Sequence, residues 1–119
     1  MKTLNAIIKK VDITNEDYCL TMNIELQLEG GGGVCFGGIS LGKPSGTVEQ
    51  YKKNCPWNIA GYYITRVLKV VGVFSVNALV GQPCRAIFKS DASLGDVIIG
   101  IQNFLSEEKF IPREDFKNN

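Results

Sequence analysis

Apolar and polar residues alternate strictly along one stretch near the amino terminus. In residues 20–28 every second position is apolar, the apolar set being Leu20, Met22, Ile24, Leu26 and Leu28. A period of two predicts a strand with one face on the core and one polar face. Residues 3–14 are rich in β-formers, and turn-forming residues at 15–17 separate the two stretches. Together they predict an antiparallel hairpin.

Glycine interrupts this pattern at residues 30–38, where the sequence is Gly-Gly-Gly-Gly-Val-Cys-Phe-Gly-Gly. No Gly-Lys-Ser/Thr closes the segment, and a strand and loop rather than a helix follow it, so it matches neither a Walker loop nor a dinucleotide fingerprint. We predict a third strand with a glycine kink, or two short strands around a bulge. Its glycines serve either a turn and a bulge or the close approach of a ligand to the backbone. Phe36 correspondingly either stacks on a base or fills the core.

The period changes after residue 60. One helical face, with spacing i, i+3, i+4 and i+7, is formed by Ile64, Val67, Leu68 and Val71. Asn58 is the predicted cap at the start of this helix, and Gly72 is its predicted end. The opposite face carries Tyr62 and Arg66. The preceding residues, 42–59, contain glycine, proline and aromatic residues and predict a long surface loop.

Shorter elements complete the predicted fold. Residues 75–79 predict one further helical turn capped by Ser75, and residues 84–88 and 96–104 predict strands. The tail from residue 106 mixes charged and apolar residues, and no element is predicted there. The chain is therefore expected to be a single domain, residues 1–119, of the α+β class, with an antiparallel sheet of about five strands and one main helix packed on it.

Composition and charge remove several classes of function. A net charge of +1 argues against general affinity for duplex nucleic acid but leaves room for a small anionic ligand. The chain has no histidine, the commonest general base and metal ligand. Its four cysteines form no Cys-x-x-Cys pair, so we expect free thiols, no metal site and no cofactor. The start lacks the apolar core of a signal peptide, and no apolar run approaches a membrane span, so we expect a cytoplasmic protein that does not bind membranes.

Arginine and aromatic residues supply the remaining candidate chemistry. Arg66 lies on the predicted helix, Arg85 in a predicted strand and Arg113 in the tail, each close in sequence to an aromatic residue. A guanidinium group binds phosphate with two hydrogen bonds, and an aromatic ring stacks on a base. Alternatively, each arginine is a solvated or salt-bridged surface side chain. No serine or cysteine has a histidine to activate it, so no catalytic residue is predicted and the chain is not expected to be an enzyme.

Three landmarks give the chain a resemblance to a group of small bacteriophage proteins. They are the Cys-Phe-Gly-Gly segment at 35–38, the Gly-aromatic helix running into Gly-Val at 60–73, and an Ile-Gly-x-x-x-Asn-like strand at 99–105 with an aromatic-x-Pro ending at 110–113. Within that group the chain most resembles the first-described Thoeris anti-defence family. It departs from the family pattern at Cys35, where glycine is common, at Ile39, where an aromatic residue is frequent, and at Phe110, where a Trp-Phe pair is common. These departures leave the ligand preference open.

The resemblance implies a function. Proteins of this family act as sponges that bind the cyclic ADP-ribose-type signal of bacterial Toll/interleukin-receptor domain enzymes without cleaving it. Relatives of this type are homo-oligomers with ligand sites between subunits, and some also bind cyclic oligonucleotides. The implied partner is thus a small cyclic nucleotide in the infected bacterial cytoplasm. Together with the arginine and aromatic pairs, the landmarks indicate these ligand contacts: Phe36, Gly37, Gly38, Tyr62, Arg66, Arg85, Asn103, Phe110 and Arg113.

A second hypothesis needs no small ligand. The exposed polar face of the second strand and the loop at 42–59 would suit a phage protein-interaction module. Such a module inhibits or assembles with a host or phage protein.

Overall fold

A computed structural model describes residues 2–16, 19–42, 59–89 and 97–116. The described strands are β1 (Lys2–Glu16), β2 (Cys19–Leu28), β3 (Gly33–Gly42), β4 (Pro83–Phe88), β5 (Ile98–Asn103) and β6 (Lys109–Phe110). The helices are α1 (Ile59–Val71), a 3₁₀ turn (Val76–Leu79) and α2 (Pro112–Asp115). Asn58 and nearly all of the loop predicted at 42–59 lie outside the described residues.

The strands form one antiparallel sheet in the order β3-β2-β1-β4-β5-β6. The main helix, α1, packs on one side of it, and residues of the helix and of that side share one apolar cluster. The α+β class is therefore confirmed, with one strand more than the five expected. We call the side under α1 the helix face and the opposite side the outer face.

The hairpin of β1 and β2 follows the predicted alternation. Met22, Ile24 and Leu26 are buried on the helix face, while Glu25 and Gln27 are exposed on the outer face. A bulge in β1 between Ile8 and Lys10 adds one residue to that strand. The extra residue shifts the alternation of β1. Positions on the same face before and after the bulge are therefore separated by an odd number of residues.

The glycine-rich segment divides into a turn and a kinked strand. Gly30, Gly31 and Gly32 have positive φ and form the turn between β2 and β3. Gly37 also has a positive φ, +130°, at the point where the register of β3 against β2 shifts. A Cβ at Gly37 would collide with the carbonyl oxygen of Met22, so only glycine fits there. The predicted kink in the third strand is confirmed.

The buried stripe of α1 is rotated from the predicted one. Tyr63, Val67 and Val70 are fully buried, whereas Ile64 and Leu68 are only half-buried. Tyr63 takes the central position because aromatic rings from the sheet surround it. Gly72, with φ +90°, ends the helix as predicted: its backbone N–H and that of the next residue donate to the carbonyl of Leu68.

The tail, for which no element was predicted, contains β6 and α2. Phe110 in β6 is fully buried, and the backbone at 110–111 lies directly over Gly100 of β5, where a Cβ would collide with it. A two-residue strand is too short to produce a periodic pattern, so β6 cannot be predicted from periodicity. The 3₁₀ turn does start after Ser75 as predicted, although the Ser75 side chain makes no capping hydrogen bond. None of the described helices is long and apolar enough to span a membrane.

Candidate functional site

Arg66 is the most heavily contacted of the predicted ligand residues. Its Nη1 donates to Glu108 Oε1 at 2.8 Å, and its Nη2 donates to the Lys109 carbonyl oxygen at 2.6 Å. Its Nε lies 3.5 Å from Asp115 Oδ2, an ion pair without hydrogen-bond geometry. The hydrogen bond to Glu108 raises the pKa of Arg66 and lowers that of the Glu108 carboxyl. With its charge balanced by two carboxylates, Arg66 offers little to a phosphate.

Tyr62 contacts the same carboxylate as Arg66. Its hydroxyl donates to Asp115 Oδ2 at 2.6 Å, and this hydrogen bond raises the pKa of Tyr62. The Tyr62 ring packs edge-on against Phe116, with centroids 5.4 Å apart. Tyr62 and Arg66 together fasten the segment from β6 to α2 onto α1. We call this group of Tyr62, Arg66, Glu108 and Asp115 the tail clamp.

Phe36 and Phe110 fill the core beneath α1. They are 2% and 0% exposed, and both rings pack against Tyr63 at centroid distances of 6.2 and 5.0 Å. Of the two interpretations of Phe36, the structure supports the one in which it fills the core. Neither ring presents a free face on which a base can stack.

Asn103 links the end of β5 to the end of α1. Its Nδ2 donates to the Val70 carbonyl oxygen near the end of α1, and its Oδ1 accepts from the backbone N–H of Leu105, each at 2.8 Å. Both functional groups of the amide are thus occupied by the backbone. These contacts satisfy a helix-terminal carbonyl that has no partner within the helix.

Arg85 and Arg113 lie apart from this cluster. Arg113 is exposed on α2, and Arg85 is half-buried on the outer face of β4. Neither forms an ion pair with any residue that the structure describes. Phe88, the aromatic residue close to Arg85 in sequence, faces the other side of the sheet, because residues three apart in a strand face opposite sides and Phe88 belongs to the helix-face core. Gly37 and Gly38 lie in β3, where Gly37 accommodates the carbonyl of Met22.

The outer face has a cleft that no sequence pattern predicted. It has a volume of about 340 Å³ and is lined by Asn5, Ala6, Ile7, Gln27, Leu28, Glu29, Pro83 and Phe104. None of the predicted contacts lines it, but Arg85 lies directly opposite Asn5 in the pairing of β1 with β4. The available sequence signal was Ile7, an apolar residue that is 49% exposed.

The cleft has one apolar and one polar wall. Ile7 and Pro83 are register partners on neighbouring strands, and Phe104 follows the end of β5. On the polar wall, Asn5 Nδ2 donates to Glu29 Oε2 at 2.8 Å, which orients the carboxylate. The arrangement can bind a molecule with a flat apolar part and a hydroxyl-bearing part. Over the described ranges, no group of three or more acidic or cysteine side chains is placed to hold a metal ion.

Comparison of the chain with protein-family models, with curated proteins and with solved structures finds no match. The resemblance to the Thoeris anti-defence family therefore stays a prediction from the sequence landmarks.

Proposed function

We propose that this chain binds and holds a small cyclic nucleotide signal of the cyclic ADP-ribose type, or a cyclic oligonucleotide, without cleaving it. In this proposal the chain is a phage sponge that acts in the cytoplasm of the infected bacterium, as the family resemblance implies. A sponge acts through affinity alone, so it requires a cleft of suitable chemistry and no catalytic group.

The outer-face cleft is the observation that carries the proposal. Its volume of about 340 Å³ lies within the range of small-molecule sites, roughly 300–1,000 Å³. Phe104 and Pro83 supply apolar surface for a base, while Asn5 and Glu29 supply hydrogen-bonding groups. Arg85, on the next strand, supplies a cation for phosphate. These are the kinds of group by which proteins hold nucleotides.

A homo-oligomer is part of the same proposal. The cleft is open on one side and lies near the lower end of the volume range, so a ligand the size of a dinucleotide would stay partly exposed in a single subunit. A second copy seated against the outer face would cover the remainder. Native mass spectrometry with and without ligand tests this, and a ligand-bound monomer would contradict it.

Binding and release test the proposed function directly. The protein is incubated with a cyclic ADP-ribose isomer, separated from free ligand, heat-denatured, and the released molecule is identified by mass spectrometry. We expect a rise in melting temperature on binding and recovery of the intact ligand. Recovery of a cleaved product would instead indicate a hydrolase, and the absence of binding across the cyclic signals would refute the sponge function.

The protein-interaction module is the second candidate. Phe74 and Leu105 are both largely exposed; Phe74 follows α1 and Leu105 follows β5, and the hydrogen bond from Asn103 to Val70 joins the ends of these two elements. Exposed apolar side chains on neighbouring turns are typical of a protein contact. A stoichiometric protein partner that is lost in Phe74→Ala, together with no thermal shift by nucleotides, would favour this function over the sponge.

A further inference from the structure

A row of polar side chains crosses the outer face, one from each of five neighbouring positions in the sheet. The pairing places Asn5 opposite Arg85, Arg85 opposite Gln102, and Gln102 opposite Lys109. Glu29 extends the row beyond Asn5, since its backbone N–H donates to the Asn5 carbonyl and its carboxylate accepts from the Asn5 amide. We call this row the polar row. It runs from a negative end at Glu29 to positive groups at Arg85 and Lys109, and the buried Gln102 between these two cations donates to the Ser106 carbonyl and to Glu107 Oε2.

We infer that the polar row binds a ribose 5′-diphosphate group, with the ribose hydroxyls at Glu29 and the diphosphate at Arg85. The inference rests on the proposed function in taking the cleft as a nucleotide site, and it adds which part of the ligand each residue holds. Of the three arginines predicted to contact phosphate, it assigns this role to Arg85, on the side of the sheet opposite α1.

The spacing of the row fits this group. Neighbouring strands lie about 4.8 Å apart, so Glu29 and Arg85, separated by Asn5, are about 10 Å apart along the row. A ribose and its 5′-diphosphate extend over a comparable length. Because the two ends of the row have opposite charge, the ligand can lie in only one direction with favourable electrostatics.

Each end of the row has suitable hydrogen-bonding groups. An ionised carboxylate only accepts hydrogen bonds, and two adjacent ribose hydroxyls each donate one. The Asn5 amide uses part of the acceptor capacity of Glu29 and fixes its position. Two positions along the row from Glu29, the guanidinium fork of Arg85 matches phosphate oxygens. A ribose with a phosphate on its 2′ or 3′ oxygen would be repelled by Glu29.

The apolar wall determines where the base lies. Ile7 and Pro83 occupy the outer-face row next to the polar row, and Phe104 closes that side of the cleft. A base attached to the ribose at Glu29 can turn toward this wall and pack on the Phe104 ring. The cleft therefore accommodates a nucleoside diphosphate as a unit.

Isothermal titration with ADP, 2′-deoxy-ADP and adenosine tests the assignment. We expect wild type to bind ADP at least about tenfold more tightly than either of the others, since each lacks a charge-assisted contact. Glu29→Ala should lose about tenfold in ADP affinity and no longer distinguish ADP from 2′-deoxy-ADP. Arg85→Ala should lose a similar factor for ADP and none for adenosine.

Two matched variants serve as controls. Glu25→Ala removes an exposed carboxylate from the same face of β2 outside the cleft, and Lys69→Ala removes an exposed cation from α1. Both should bind ADP as wild type does. Melting curves of all variants separate a loss of binding from a loss of folding. Because Glu29 and Arg85 are not in the core, we expect their variants to fold.

The outcomes distinguish this inference from the proposed function. If wild type holds a cyclic signal and ADP but Glu29→Ala and Arg85→Ala bind both normally, the polar row is not the site and the sponge function stands. If ADP binds with the expected variant pattern but no cyclic signal binds, the sponge function fails and the ribose diphosphate site stands. If wild type binds neither ADP nor a cyclic signal, both are overturned.

Discussion

Replacing Arg66 with methionine tests whether this arginine stabilises the fold or binds the ligand. Methionine keeps an unbranched apolar side chain that can pack near the Phe110 ring, over which the guanidinium carbon lies at 5.8 Å. It removes the hydrogen bond to the Lys109 carbonyl and both ion pairs of the tail clamp. The change therefore isolates the polar head of the side chain.

The magnitude follows from how far the contacts are buried. The Arg66 side chain is 19% exposed and its hydrogen bond to Glu108 is partly buried, whereas its hydrogen bond to the Lys109 carbonyl is exposed. Losing these hydrogen bonds should lower the free energy of unfolding by about 1 kcal/mol. The ion pairs should add little, because their carboxylates are partly solvated.

Urea unfolding followed by circular dichroism measures the loss, and hydrogen exchange locates it. We expect faster exchange of backbone amides at 109–116 in Arg66→Met than in wild type. Arg113→Met is the matched control and should stay within about 0.5 kcal/mol of wild type, because Arg113 is exposed on α2. An unchanged unfolding midpoint combined with lost binding of the cyclic signal would refute our account and make Arg66 a ligand contact.

Acid should weaken the same clamp. The hydrogen bond from Arg66 lowers the pKa of Glu108 in the folded protein. A carboxyl group with a lowered folded-state pKa stabilises the fold above its unfolded pKa, and this contribution is lost as the pH falls through the folded value. Glu108 therefore contributes part of the gap in unfolding free energy between wild type and Arg66→Met. This part should be present at pH 7 and shrink below about pH 4. A gap that is the same size or larger at pH 3 would contradict this role of Glu108.

Two further predictions concern β3 and the thiols. Gly37→Ala should lower the free energy of unfolding by about 2 kcal/mol or more, since it combines a positive φ with a collision against the Met22 carbonyl. Gly31→Ala, with open space around the new Cβ, should lower it by about 1 kcal/mol. Equal losses for the two variants in urea unfolding would contradict the collision. Burial raises the pKa of the Cys84 thiol to about 12, while Cys35 is exposed, so iodoacetamide at pH 8 should label Cys35 and leave Cys84 unmodified in the folded protein. Residue-level mass spectrometry measures the labelling, and modification of Cys84 at the rate of Cys35 would contradict its burial.

The elements that the sequence predicted correctly are those whose pattern is local. The alternation in β2 reports burial on one side, and Gly72 and Gly37 mark backbone conformations that other residues adopt with difficulty. The buried stripe of α1 was misplaced because its centre, Tyr63, owes its position to rings at Phe36 and Phe110. Those partners come from distant parts of the chain, and no local period reports them.

The candidate site was harder to predict for the same reason. Arg66 was expected near phosphate because of the tyrosine four residues earlier, yet its partners Glu108 and Asp115 lie more than 40 residues later in the chain. The cleft depends on the register of β1 with β2 and β4, which brings Ile7 beside Pro83. Register is a property of pairs of strands, and one strand's sequence does not determine it.

The structure separates arginines that the sequence could not distinguish. Arg66 has two carboxylates to balance its charge, so a phosphate would have to displace the tail from α1 to reach it. Arg85 lies in the polar row between the amides of Asn5 and Gln102, and it forms no ion pair with a described residue. If the chain binds an anionic nucleotide in this conformation, the free energy of phosphate binding should therefore come mainly from Arg85. Ile7 and Pro83 are exposed apolar residues on the outer face beside it, and local departures from pattern of this kind are expected at a binding site.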